Sequence, residues 1–295
     1  MTMAHGKLPR ERVPYSAIID RPPLKLPGGA RMVVWTIVNV EEWSIERHMP
    51  RTVLPPPMGQ PLQPDLPNWA WHEYGMRVGF WRIAEVLARR KLIPTLAVNG
   101  SVLKSYPRVA EAARDARWEF MGHGYLQGPM HHVADQRQAI RDTIEAIRAF
   151  TGRAPRGWES PGLTETYDTI DILHEEGLEY VADWVLDDQP VKIRTSKGHI
   201  VSVPYTLEVN DIPMMALQHH GADELFRRGV AQFDQLYEES AAITRVMAIS
   251  VHPYITGVPH RIGWLEKLYQ HIQSRPGVLL WTGEQILDWY MTQDR

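Results

Sequence analysis

Seven short apolar, β-branched runs recur along the chain, most of them followed by a polar turn and a stretch with helical spacing. This alternation constrains the fold more than any other feature, because strands alternating with helices build a parallel sheet with crossover helices. The first run, Met32-Val33-Val34-Trp35-Thr36-Ile37-Val38, is almost unbroken in apolar residues, as expected of a strand covered on both faces. The others span residues 93–98, 118–121, 180–184, 199–203, 246–251 and 278–281. Helical spacing is clearest over 77–90, with Phe80, Ile83, Val86 and Leu87 on one side, and over 135–150, where Ile140, Ile144 and Ile147 repeat before a stop at Gly152. Helices are also expected over 166–176, 222–241, 263–274 and 283–290. About seven such units imply an α/β fold with a single (β/α) barrel, either complete or incomplete and distorted with seven strands. The expected organisation is an N-terminal arm over 1–30 and one catalytic domain over 31–295.

One stretch breaks the rhythm. Pro50, Pro55, Pro56, Pro57, Pro61, Pro64 and Pro67 exclude helix interior and central strand over residues 50–68. A loop of this length inside a compact domain is usually functional or disordered. It runs into Asn68-Trp69-Ala70-Trp71-His72-Glu73-Tyr74-Gly75, whose aromatic rings suit packing. Two uses stay open: a surface strap or subunit contact, and a lid over a site.

Composition narrows the chemistry. The chain has no cysteine, which excludes disulfides, thiolate zinc sites, iron–sulfur clusters and a cysteine nucleophile. Any metal has to be held by His, Asp or Glu. Thirty-two basic residues stand against 35 acidic ones, a net charge of −3, and no basic run offers a footprint for nucleic acid or anionic lipid. No window reaches the roughly 18 apolar residues of a membrane span. The first thirty residues carry charges and prolines rather than an apolar signal segment, so a cytoplasmic location is expected.

In parallel barrels the reactive groups sit at the C-terminal ends of strands. There the chain reads Asn39-Val40-Glu41-Glu42-Trp43, Gly122-His123-Gly124-Tyr125, Trp158-Glu159-Ser160-Pro161-Gly162 and Val251-His252-Pro253-Tyr254. Acids and histidines therefore converge on one face. The adjacent pairs His131-His132 and His219-His220 carry less weight, since neighbouring side chains diverge on a strand and do not face each other on a helix.

At these residues the sequence resembles the polysaccharide deacetylase superfamily, the fold of carbohydrate esterase family four and nodulation-factor deacetylases. The resemblance runs from Arg31 to Tyr290 and is carried by Asn39-Val40-Glu41-Glu42, Trp71-His72-Glu73-Tyr74-Gly75 with Arg77-Val78-Gly79, Met121-Gly122-His123-Gly124, Arg156-Gly157-Trp158 with Ser160-Pro161-Gly162, and Ser250-Val251-His252-Pro253. It is closest to the branch of cofactor-independent allantoinases, cyclic imide hydrolases and an intracellular peptidoglycan-deacetylase-like enzyme. In metal-dependent members an acidic pair supplies base and ligand, and two histidines four residues apart supply the other ligands. Two registers are open here: Asn39 in the place of the base with Glu41 as ligand, or Glu41 as base with Glu42 as ligand. His123 is kept, but Gln127 stands four residues on, and an amide is a poor zinc ligand.

The resemblance implies a hydrolase of a non-peptide C–N bond in a small cyclic amide, imide or ureide. Glu41, Glu42, His123 and His252 are the expected catalytic groups. Asn39, Trp43, Trp71, Tyr125, Gln127, Arg156, Trp158, Glu159 and Trp184 are expected to contact the substrate. No cofactor is expected. The alternative is a metal-dependent N-deacetylase of an amino sugar, with one divalent ion, zinc, on Glu41 or Glu42 together with His123. A third reading is a non-catalytic binding protein on the same scaffold. The expected partners are a small-molecule substrate and, by resemblance, other copies of the chain in a tetramer, with no nucleic acid and no membrane.

Overall fold

The computed structural model describes residues 6–293, so residues 1–5 of the expected arm and residues 294–295 of the expected domain lie outside the described part. Its sheet contains β1 (Met32–Val40), β2 (Thr95–Val98), β3 (Glu119–Gly122), β4 (Gly157–Trp158), β5 (Tyr180–Val181), β6 (Val191–Thr195), β7 (Gly198–Ser202), β8 (Arg245–Val251) and β9 (Val278–Trp281). The order is β6-β7-β5-β4-β3-β2-β1-β8, with β9 set beside β1. All pairings are parallel except the β6–β7 hairpin. The sheet does not close among the described residues, so the fold is an open α/β barrel. Two strands were not foreseen: β4 is two residues long, and β6 belongs to a hairpin outside the strand–helix rhythm.

β1 is the axis of the barrel. β8 lies along one side from Met32 to Val38; on the other, β9 pairs with Met32 to Trp35 and β2 with Ile37 to Val40. All nine β1 residues are buried, which explains the unbroken apolar run. Val33, Trp35 and Ile37 face the barrel interior with Ala97, Met121, Tyr180, Val246 and Ala248. Met32, Val34, Val38 and Val40 face the helical layer with Phe80, Ile83, Leu87, Leu265 and Leu268. The two-residue period then carries inward the odd-numbered residues that leave the strand, Asn39 and Glu41.

The segment expected as one helix over 77–90 is longer and interrupted. Helices Leu66–Tyr74 and Phe80–Arg89 flank a π-helical turn at Gly75–Gly79. The two glycines let this turn pack directly on the segment after β8: a Cβ on Gly75 would stand 2.5 Å from the Tyr254 nitrogen, and one on Gly79 would stand 2.1 Å from the Pro253 oxygen. The other expected helices are present as Gln136–Thr151, Thr169–Glu175, Glu224–Glu239, Pro259–Gln273 and Gly283–Met291. The arm packs on the barrel, with Leu24 and Leu26 in the core and Arg12 donating to both oxygens of Asp171 at 2.9 and 2.7 Å.

Candidate active site

Glu41 is the centre of a polar cluster at the C-terminal end of the barrel and is 1% exposed. Its two oxygens face different neighbours. Oε2 accepts from Trp43 Nε1 at 2.7 Å and from the Tyr254 hydroxyl at 3.4 Å, and lies 3.5 Å from Arg51 Nη1. Oε1 accepts from Gln127 Nε2 at 2.8 Å, with His252 Nε2 at 3.6 Å and His123 Nε2 at 3.8 Å. Burial pushes this carboxyl up, but the Arg51 guanidinium and the nearby His123 and His252 imidazoles outweigh it and hold the group well below the usual carboxylate range.

Each histidine is oriented from behind. His252 Nδ1 donates to Asp211 Oδ1 at 2.6 Å, while Asp211 Oδ2 accepts from the His252 backbone at 2.8 Å and from Thr256 Oγ1 at 2.6 Å. An isolated parallel bridge between Asn210 and Ser250 lays the chain before Asp211 along β8 and brings the carboxylate there. His123 Nδ1 donates to the Glu159 carbonyl at 2.8 Å, leaving a buried Nε2 on the Glu41 side without a hydrogen-bond partner among the described residues. Burial lowers the His123 pKa, but Glu41 and Glu159 raise it further, for a net rise. His72 Nε2 donates to the Glu41 carbonyl at 3.0 Å, and burial drops its pKa to about 4, so it is a neutral support. Burial also raises the Glu159 carboxyl, to about 7, against the charge of His123.

The expected site residues divide into two groups. Glu41, Trp43, His123, Gln127, Glu159 and His252 are brought together. Trp71 stands at the edge of this group, with its ring 4.8 Å from Tyr254 and 6.2 Å from Trp43. Asn39 faces the same interior and donates to Ser250 Oγ at 2.8 Å. Glu42 points the other way, and its carboxylate accepts from Ser105 Oγ at 2.8 Å. Arg156 precedes β4 at the opposite end of the barrel and is paired with Glu179 and Asp288. Trp158 is buried, and a Cβ on Gly122 would stand 2.6 Å from its ring. Tyr125 lies on a separate cavity of about 460 Å³ with Arg47, Met130 and Trp158. Trp184 lines another, of about 630 Å³, with Glu165, Tyr167 and Asp183. His131, His132, His219 and His220 are exposed.

Arg51, Asp211 and Tyr254 were not foreseen in the cluster. Arg51 comes from the Pro-rich loop, which Asn68 pins by accepting from the Val53 and Leu54 nitrogens at 2.8 and 3.0 Å and donating to the Leu54 carbonyl at 2.9 Å. The rest of the loop leaves Val53, Leu54, Met58 and Leu62 exposed.

The donor set does not suit a divalent cation. Gln127 turns its amide N–H toward Glu41, and the position an ion would need beside that carboxylate already has a guanidinium within 3.5 Å. Among the described residues no three His, Asp or Glu side chains are placed to hold a metal.

An open parallel barrel with carboxylate, imidazole and amide groups converging at the C-terminal ends of its strands defines an α/β protein of the deacetylase type. The polysaccharide deacetylase family profile matches residues 72–181. A Schizosaccharomyces pombe protein that carries the name polysaccharide deacetylase is 32% identical over 234 residues, covering 72% of this chain and 73% of that one. The chain belongs to the polysaccharide deacetylase family. Among solved structures it is similar to a probable polysaccharide deacetylase from Pseudomonas aeruginosa PAO1, with a TM-score of 0.84 and 26% identity over 95% of this chain and 98% of that one. It is also similar to Puue allantoinase, with a TM-score of 0.83 and 25% identity over 93% and 95% of the two chains. Family membership supports a hydrolase of C–N bonds.

Proposed function

We propose that the chain hydrolyses a non-peptide C–N bond in a small cyclic amide, imide or ureide, without a resident metal. One observation carries this reading: the amide of Gln127 and the guanidinium of Arg51 surround Glu41 where a metal-dependent site needs a third ligand and a divalent ion. The similarity to an allantoinase structure along nearly the whole chain supports it.

His252 is the proton carrier in this reading. Asp211 fixes Nδ1–H, so Nε2 is free to take a proton from water as the oxygen attacks the substrate carbonyl. When the C–N bond breaks, the same Nε2–H returns the proton to the leaving nitrogen, and a cyclic substrate opens to a single carboxylate product. Glu41 places a fixed negative charge 3.6 Å from His252 Nε2, beside the positive charge that develops there during the transfer. Three hydrogen-bond donors and the Arg51 charge leave this carboxylate little basicity, so it is not the proton acceptor.

The name polysaccharide deacetylase on the fission-yeast relative favours a second reading, removal of an acetyl group from an amino sugar. Assay of purified protein against allantoin, hydantoins, cyclic imides and N-acetylated amino sugars separates the two. Ring opening that survives exhaustive chelation is the expected result. Turnover of the N-acetyl sugar alone, abolished by chelation, replaces the first reading with the second. Binding without product at any protein concentration makes the chain a non-catalytic member of the family.

A further inference from the structure

Hydrolysis of an amide places negative charge on the carbonyl oxygen, and a site without a metal needs another cation there. Among the charged groups of the described residues around Glu41, Arg51 is the one permanently positive. Its side chain is 18% exposed and lies close to Glu41 and Tyr254. The guanidinium makes one hydrogen bond among the described residues, from Nη1 to the Tyr254 hydroxyl at 3.4 Å. Its Nη1 approaches Glu41 only to 3.5 Å. Nε and Nη2 are therefore unused on a group with five N–H donors.

A charged donor sealed from water without a partner is costly, but neither Nε nor Nη2 of Arg51 is among the sealed unpartnered atoms, so both are open to an incoming ligand. Arg12 of this chain shows the filled case, with both terminal nitrogens on Asp171 and further bonds to the carbonyls of Arg194 and Tyr167. Arg51 and His252 approach the two different oxygens of Glu41, at 3.5 and 3.6 Å, and the loop bearing Arg51 is pinned two residues later by Asn68. We propose that Arg51, delivered by the Pro-rich loop, is a catalytic residue that binds the substrate carbonyl oxygen and stabilises it as the oxyanion. It acts by hydrogen bonding and charge alone, and no proton leaves the guanidinium. The inference rests on the hydrolase reading but not on the choice of substrate, since ring opening and deacetylation both pass through an oxyanion and both release a carboxylate.

Two measurements test it, on Arg51→Met and Arg51→Lys, each first shown by circular dichroism and thermal melting to be folded. With whichever substrate the wild type turns over, Arg51→Met is expected to lower kcat by about 10²–10³-fold with KM within about threefold, and Arg51→Lys to retain an intermediate rate. Acetate, the simplest carboxylate, is then titrated against the fluorescence of Trp43 and Trp71, which needs no substrate at all. Binding weakened at least about tenfold in Arg51→Met and partly restored in Arg51→Lys is the expected result. Equal acetate affinity in wild type and Arg51→Met overturns the proposal, as does an unchanged kcat. Stoichiometric zinc uptake by wild-type protein also overturns it, because the ion would then supply the charge. If only an N-acetyl sugar is turned over, the cyclic-amide reading fails while the Arg51 kinetics are measured on that sugar.

Discussion

Two buried glutamates occupy opposite ends of the barrel interior. Glu119 starts β3 at the N-terminal end, and Glu41 leaves β1 at the C-terminal end. Both are nearly sealed, at 3% and 1% exposed. Glu119 accepts from Thr95 Oγ1 at 2.6 Å, from the Tyr180 hydroxyl and from the Glu284 nitrogen at 3.2 Å, and no cation pairs with it among the described residues. Burial, then the charge of Glu284, pushes its carboxyl up to about 7 against those hydrogen bonds. Glu41 is as deep, yet Arg51 and the histidines hold it ionised. Depth alone pushes a glutamate toward its neutral form; a cation imported by a loop turns the same residue into a charged site.

The largest effect expected from this contrast is on activity. Glu41→Gln removes the fixed negative charge beside His252 Nε2 and is expected to lower kcat by about 10³-fold or more, whereas Glu119→Gln stays within about threefold of wild type. Equal losses in the two variants would mean that Glu41, too, is only a packing residue.

Stability against pH separates the same pair in the other direction. Below 4.5 Glu119 is protonated in both folded and unfolded chains and contributes no difference. Its folded pKa is raised to about 7, so the unfolded chain ionises first, and stability is lost as pH rises from 4.5 to 7. The full shift corresponds to on the order of 3 kcal/mol. Urea midpoints of wild type and Glu119→Gln should therefore diverge in the variant's favour across that window. A pH-independent difference between the two would show that Glu119 is already charged and that the contrast with Glu41 is false.

A smaller loss is expected one step behind the site. Asp211→Asn keeps the shape of the support but removes the charge from behind His252 Nδ1, and kcat should fall by about 10²-fold with KM nearly unchanged. A pure KM effect would make Asp211 a substrate contact rather than the orienting group of the imidazole.

The sequence carried the strands β1, β3 and β8 with their polar exits, and the polar segment after β4 though not that strand itself, because those signals are local: apolar runs, spacing and the residues that follow them. It did not carry Arg51 or Asp211. Both reach the cluster through tertiary contacts, one by a proline-rich loop held by Asn68 and the other by a single bridge from Asn210 to Ser250, and neither contact leaves a periodic trace. Arg156 failed for a related reason: a two-residue strand puts the residue before it at the far end of the barrel from the residue after it, and a motif does not show how short its strand is.

The acid register shows the same limit at one residue. A strand buried on both faces has no polar face to count from, so the run Met32 to Val38 could not say whether Glu41 or Glu42 turns inward. Packing decides it, since Trp35 and Ile37 are inside and the period of two continues to Glu41. Among the described residues Glu42 is left with a single side-chain bond, from Ser105 at 2.8 Å, worth about 1 kcal/mol. Glu42→Ala is accordingly the smallest effect expected here, a change in kcat/KM of less than about threefold and a slightly lower melting temperature. Measured beside Glu41→Gln, it asks whether one step along the chain separates the site from its surface. A loss of about 10²-fold would place the second acid in the reaction after all, and the inward register would no longer account for the chemistry.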